Sequence, residues 1–254
     1  MASDRRVLVH ESPEELASAV ATRFIGRLSV TLDSRPSASV VLTGGRIGIA
    51  VLAAVNASPA RDNIEWSRVD FWWGDERWLP KGDAERNDRQ AFDALLDHIA
   101  VDPARLHPFP AADEFDDLDE AAAHYAQELR SAGEGEPLPR FDFLFLGVGP
   151  DGHIASLFPE RPETRSSEGT VVAVRNSPKP PPERLSLTMP AITSAHRVWL
   201  TLAGADKASA LGLALAGASS NEVPVSGAFG RDETVFFVDQ AAAAEVPANL
   251  IAPE

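Results

Sequence analysis

Five apolar runs, spaced along the chain and mostly trailed by helical patterns, constrain the fold more than any other feature of the sequence. SVVLTGG leads into IGIAVLAAV, VDFWWGD into RNDRQAFDALLDHIA, FDFLFLGVG into a loop, RVWLTLAG into ADKASALGLALAG, and TVFFVD into AAAAEV. The strand segments are nearly continuous in apolar residues, so both of their faces must be covered. Strand and helix in alternation then predict a largely parallel sheet flanked by helices, a doubly wound, Rossmann-like α/β fold.

Local signals fill in the rest. In SPEELASAVATRFIGRLSVTLD, Ser12 is placed as an N-cap, Pro13 at the first helical position and Glu15 three residues after the serine. DDLDEAAAHYAQELRSAG predicts another helix, ended by Gly133, with GEGEPLPR as the loop beyond it. PPPERLSLTMP holds too much proline for a central helix and reads as framing an edge strand. No linker divides the 254 residues, and 44% hydrophobic content suffices for one large core, so residues 1–254 are expected to form one domain.

Charge and composition narrow the function. A formal charge of −15 argues against nucleic acid or an anionic membrane surface as a partner. An anionic ligand would need a local basic cluster, and Lys81, Lys179 and Lys207 are the only lysines among cations that are mostly arginine. The absence of cysteine removes disulfides, thiol nucleophiles and thiolate metal sites. With the histidines scattered, no metal is expected. No segment reaches the roughly 20 apolar residues of a membrane span, and the N-terminus has no signal-peptide core, so a cytoplasmic location is expected.

In open α/β sheets ligands sit beyond the carboxyl ends of the strands. Three loops there are unusual. In VVLTGGRIGIAVL, Gly44, Gly45 and Gly48 lead from a strand into a helix, an arrangement that turns backbone N–H groups toward an anion, although glycines also simply make tight turns. In VDFWWGDERWLP, a buried strand runs into Asp75, Glu76 and Arg77, with Trp72, Trp73 and Trp78 expected to lower the dielectric around them; Asn87 downstream is placed at a helix cap. In GVGPDGHIASLFP, Gly147, Gly149 and Gly152 free the backbone for close approach, and Asp151 stands two residues before His153. His10, His98, His107, His124 and His196 lack that setting and read as structural or solvated, whereas His153 alone follows a buried strand in a glycine-rich turn, and imidazole is the side chain suited to a general base. Ser156 is a poor nucleophile candidate, since GxSxG is absent and a following helix is expected to contain it.

These loops, in this order, resemble the 6-phosphogluconolactonase family, within the wider group that includes glucosamine-6-phosphate deaminases. GVGPDGHIASLFP is similar to the family's GMGxDGHTASLFP signature, WWGDERWLP with Asn87 to its DER region, VVLTGG to the start of its glycine loop, SPKPPPERLSLTMPAI to its KPPxxRxTxT segment, and AGADKASAL to its GxxKxxAL. Ser156, Leu157, Phe158 and Pro159 continue the lactonase form where deaminases usually have FNEP; Ile154 is the one deaminase-like residue in the motif. The family's GGSTP is replaced by Gly44, Gly45, Arg46, Ile47 and Gly48, so hydroxyls are lost and Arg46 either supplies a contact in their place or obstructs the pocket.

The resemblance implies hydrolysis of 6-phospho-D-glucono-1,5-lactone, a small sugar phosphate, in the oxidative pentose phosphate pathway, without metal or organic cofactor. It implies His153 as general base, oriented by Asp151 or Asp75, with N–H groups of the Gly149–Gly152 turn as oxyanion donors. Gly44, Gly45, Arg46, Arg77, Gly152, Lys179 and Arg184 are the expected substrate and phosphate contacts. Lys207 matches a motif but begins a helix. A monomer or small homo-oligomer is expected. A deaminase and a non-catalytic sugar-phosphate binding protein are the competing readings.

Overall fold

The computed structural model describes residues 5–247 and 250–252; the first four residues, and residues 248, 249, 253 and 254 of the C-terminal tail, lie outside the described residues. The chain runs β1 (Arg5–His10), α1 (Pro13–Ser34), β2 (Ala38–Leu42), α2 (Arg46–Ala57), β3 (Val69–Trp73), β4 (Asp75–Arg77) and α3 (Asn87–Ala94). It continues through β5 (Leu106–His107), α4 (Leu118–Ala132), β6 (Phe143–Gly147), β7 (Val171–Val174), β8 (Arg184–Leu187), α5 (Met189–Thr193), β9 (Arg197–Leu202), α6 (Ala208–Leu215) and β10 (Glu233–Asp239). Among the described residues, seven strands form an all-parallel sheet in the order β1, β10, β9, β6, β2, β3, β5.

The helix signals act as the sequence implies. Ser12 Oγ accepts from Glu15 N–H at 3.2 Å, while the Glu15 carboxylate accepts from Glu11 N–H at 3.2 Å. Helix α1 then buries Leu16, Val20, Phe24 and Leu28 at i, i+4 spacing, and Phe24 sits edge-on to Phe143 and Phe145 of the sheet. Asp117 caps α4 through the N–H groups of Asp119 and Glu120, and Gly133 ends it.

Three expectations are corrected. The alanine run after β10 forms turns instead of a helix: Asp239 caps a single turn (Ala242 N–H to its carboxylate, 2.8 Å; Ala243 N–H to its carbonyl, 3.0 Å), and Pro247 follows before a helix can propagate. No helix follows β6 either, because Pro150 lacks an N–H and both Gly152 (φ 79°) and Ala155 (φ 48°) are left-handed. Arg184–Leu187 is the middle of a separate antiparallel sheet, β4, β8, β7, instead of an edge strand. The prolines stop at Pro182, so this short segment keeps all its ladder donors.

The topology places the cleft. From β2 the chain moves outward to β3, and from β6 it moves the other way, to β9, so direction reverses between adjacent β2 and β6. Such a reversal opens a crevice at the carboxyl ends, here bridged by Gly147 N–H donating to Thr43 Oγ1 at 3.2 Å. Gly74 passes the chain from one sheet to the other: its N–H goes to Leu42 O (2.9 Å) and its carbonyl accepts from Leu187 N–H (2.8 Å).

At the far edge, His107 lies flat on Trp72, centroids 3.8 Å apart, between Glu128 (Nδ1 to Oε1, 2.9 Å) and Asp70 (Nε2 to Oδ1, 3.4 Å). Arg105 pairs with Asp70 from the other side at 2.6 Å. Burial alone would push the imidazole down, but the bonds to Asp70 and Glu128 and their charges hold it above its ordinary 6.5. A raised folded-state value contributes stability below the unfolded value and loses it as pH rises through the folded one. Urea unfolding should therefore show wild type exceeding His107→Gln by most at about pH 5.5, with the difference shrinking above about pH 7. A difference that grows with pH would contradict this account.

Candidate active site

Alternation along β4 sorts the DER triplet. Asp75 and Arg77 share one face with their cross-strand partners Ser186 and Arg184, while Glu76 and Leu185 point the other way. Glu76 is 1% exposed. Its Oε1 accepts from Arg77 N–H (2.8 Å) and Asn87 N–H (2.7 Å), its Oε2 from Asp88 N–H (2.8 Å), and Arg86 Nη2 lies 3.8 Å away. Burial pushes this carboxyl up, to about 8, with the nearby Asp88 carboxylate adding to the rise, and Arg86 and the α3 N–H groups pull it back only in part. Arg86, not Asn87, occupies the N-cap of α3 and makes no side-chain cap bond, so the Glu76 carboxyl supplies the acceptor from outside the helix.

The cleft is about 790 Å³, and its walls include Gly44, Gly45, Arg46, Asp75, Arg77, Asn87, His153, Lys179, Arg184 and Lys207. Trp72, Trp73 and Trp78 are absent from those walls; Trp72 stacks on His107 and Trp73 on Phe92, so the screening expected of them comes instead from burial of the charges themselves.

His153 is held by Asp151 at 2.5 Å from Nδ1 to Oδ1, which assigns the proton to Nδ1 and leaves Nε2 without a protein partner among the described residues. Asp75 does not touch the imidazole. It accepts from Ser156 Oγ at 2.7 Å and Asn87 Nδ2 at 3.4 Å, with Arg184 Nη1 at 4.0 Å. Burial raises Asp151, but the His153 hydrogen bond, with the charges of His153 and Lys179, outweighs it and holds the carboxyl at about 2. That stabilising contribution is present above the ordinary carboxylate range and lost only as pH falls through about 2. Lys179 Nζ stands 3.5 Å from His153 Nδ1 and 4.0 Å from Asp151 Oδ1; burial pushes the ammonium below 10.5, and Asp151 partly restores it.

Glycines fit the loops to this geometry. A Cβ on Gly149 would lie 1.9 Å from His153 Nδ1, so the ring rests where any side chain would be. A Cβ on Gly44 would lie 1.9 Å from Asn87 Oδ1, so the glycine loop and the head of α3 pack backbone against amide. Two of the oxyanion donors expected in the 149–152 turn are not free: Gly149 N–H bonds to His153 O (2.9 Å) and Gly152 N–H to Gly149 O (3.0 Å). The tight turn that orients the histidine consumes these two, and the Asp151 N–H is the donor of the turn for which no acceptor is found among the described residues.

The cations differ in availability. Arg46 is exposed at the start of α2, whose N-cap Gly45 (φ 82°) has no side-chain cap, and the N–H groups of Arg46, Ile47 and Gly48 find no acceptor among the described residues. Lys207 pairs with Asp206 at 3.0 Å, and Arg46 helps hold that carboxyl below its ordinary range. Arg77 donates to Glu85 O. Arg184 is 5% exposed and turned onto the carbonyls of Lys179, Pro180 and Pro181. Sequence reasoning passed over Ser156, which is fully buried and bonded to Asp75; its adjacency to the histidine motif was the available signal.

Fold and site together define an α/β enzyme type, with a carboxylate-held histidine and clustered cations in a switch-point cleft. A family model for glucosamine-6-phosphate isomerases/6-phosphogluconolactonase matches residues 11–237. A 6-phosphogluconolactonase of Streptomyces coelicolor is 52% identical, covering 100% of this chain and 99% of its own. One of Mycobacterium tuberculosis is 46% identical, covering 91% and 94%. The 6-phosphogluconolactonase structure from Trypanosoma brucei superposes with a TM-score of 0.84 at 25% identity, covering 97% and 100%. A monomeric glucosamine-6-phosphate deaminase superposes at 0.78 and 24% identity, covering 94% and 99%, so the fold is common to both names. The chain belongs to the glucosamine-6-phosphate isomerase/6-phosphogluconolactonase family.

Gly149→Ala should leave the fold intact and lower turnover by about 100-fold, since displacing a catalytic group by ~1 Å costs that much. Circular dichroism and steady-state rates check it; unchanged turnover would mean the ring position is irrelevant.

Proposed function

We propose that the chain hydrolyses 6-phospho-D-glucono-1,5-lactone to 6-phosphogluconate, the lactone-opening step of the oxidative pentose phosphate pathway. The observation that carries this is His153, oriented through Nδ1 by Asp151 and presenting an unpartnered Nε2 in a cation-lined cleft. In the proposed reaction Nε2 takes a proton from water as its oxygen attacks the C1 carbonyl. The tetrahedral intermediate then collapses, the bond from C1 to the ring oxygen breaks, and the imidazolium returns the proton to that oxygen. Asp151 stays ionised throughout and stabilises the imidazolium. With the Gly149 and Gly152 N–H groups engaged, the oxyanion is assigned to the Asp151 N–H and to Lys179, whose Nζ lies 3.5 Å from His153 Nδ1.

The phosphate is assigned to the free N–H groups at the head of α2 beside Gly44 and Gly45, with Arg46 and Lys207 close by and Arg77 contributing from β4. Arg46 thereby replaces with charge what the lost hydroxyls would have offered.

Lactone generated in situ and coupled to 6-phosphogluconate dehydrogenase, against a no-enzyme control for spontaneous opening, tests the reading. Wild type should accelerate opening, His153→Ala should lower kcat by roughly 10²–10⁴, and Arg77→Ala should raise KM with kcat little changed. Acceleration absent in wild type, or undiminished in folded His153→Ala, would refute it. Ammonia release from glucosamine 6-phosphate would favour the deaminase activity instead.

A further inference from the structure

Lys179 sits in a proline-rich segment with little backbone bonding of its own beyond Ser177 N–H to Pro182 O at 2.9 Å. Pro178, Pro180, Pro181 and Pro182 surround it and lack N–H groups, so the one backbone donor between 178 and 182 is Lys179 N–H, which goes to Ser177 Oγ at 3.2 Å. The carbonyls of residues 179 to 181 are gathered by a single guanidinium. Arg184 Nη2 donates to Lys179 O (3.3 Å) and Pro180 O (2.8 Å), and Nε to Pro181 O (3.2 Å). Arg184 is fixed in turn: Nη1 donates to Ser156 Oγ at 3.5 Å, and that hydroxyl donates to Asp75 Oδ2 at 2.7 Å. Ser156 N–H is anchored on Ser186 Oγ at 3.2 Å.

This arrangement has a cost that invites explanation. Arg184 stands directly opposite Arg77 across β4 and β8, a like-charge pair that weakens a sheet. A lysine would keep the charge against Asp75 but has no planar fork to span three carbonyls.

We propose that Arg184, and Ser156 through it, are positioning residues that set the Lys179 ammonium beside His153 and Asp151. Neither needs to touch substrate. The kinetic part of the test rests on the lactonase reading above. A second readout does not, because the chain has only three lysines, so Lys179 is resolvable by NMR of 13C-labelled lysine side chains.

The experiment is a double-mutant cycle on kcat for lactone hydrolysis with Ser156→Ala, Arg184→Lys and Lys179→Ala, alongside lysine titration of the first two. Each positioning variant should lower kcat by about 10- to 100-fold, and in the Lys179→Ala background should lower it by no more than about twofold. The Lys179 titration should move up toward 10.5 as the segment loosens. If Ser156→Ala does not fold, Arg184→Lys, which adds one lysine signal, carries both measurements. Losses that multiply in full with Lys179→Ala, or a Lys179 signal that titrates as in wild type in a folded variant, would overturn the proposal. A wild type without lactone turnover would sink the earlier reading only, and the titration would still decide this one.

Discussion

One buried carboxyl organises the cleft. Glu76 accepts from the peptide that follows it and from two N–H groups at the head of α3, inside the core and beside Arg86. Because side chains alternate along β4, fixing Glu76 inward forces Asp75 and Arg77 outward into the cleft. The same contact brings up α3, so that Asn87 reaches Asp75 and lies against Gly44. Removing one partner of such a buried arrangement typically costs about 3–5 kcal/mol, which places this residue among those whose loss would be felt throughout the site.

Much of this was legible in the sequence, for identifiable reasons. Continuous apolar strands such as ASVVL and FLFLG signal a covered parallel sheet, and the caps at Ser12 and Asp117 with the stop at Gly133 are local chemistry that needs no tertiary context. The pairing of His153 with Asp151 was one of two options, because residues two apart in a glycine turn come together locally while Asp75 arrives from another strand. What escaped was long-range. The three-residue β4 is too short to show periodicity, and the fate of the Gly149 and Gly152 N–H groups depends on how tightly the loop closes on itself. The alanine-rich run after β10 misled because helix propensity is a weak prior in so short a run, which ends at Pro247 after a single turn.

The electrostatics reconcile a strongly acidic protein with an anionic ligand. The formal charge of −15 belongs to the whole chain, whereas Arg46, Arg77, Lys179, Arg184 and Lys207 meet in one concavity, where they outnumber Glu14, Asp75 and Asp239 of the same walls and low-dielectric surroundings focus their field. Long-range repulsion and local attraction then act at different distances, separated by screening over a Debye length of about 8–10 Å.

The close approaches at Gly44 and Gly149 also have a mechanical side. Where backbone lies directly against Asn87 and His153, no side chain intervenes to slide or re-pack, so the part of the cleft built on the large sheet behaves as a fixed jaw. The opposing proline segment hangs from Arg184 and from its own Ser177 N–H to Pro182 O bond. Any widening of the entrance to admit or release a ligand is therefore concentrated in this second jaw, with the arginine fork as its hinge pin.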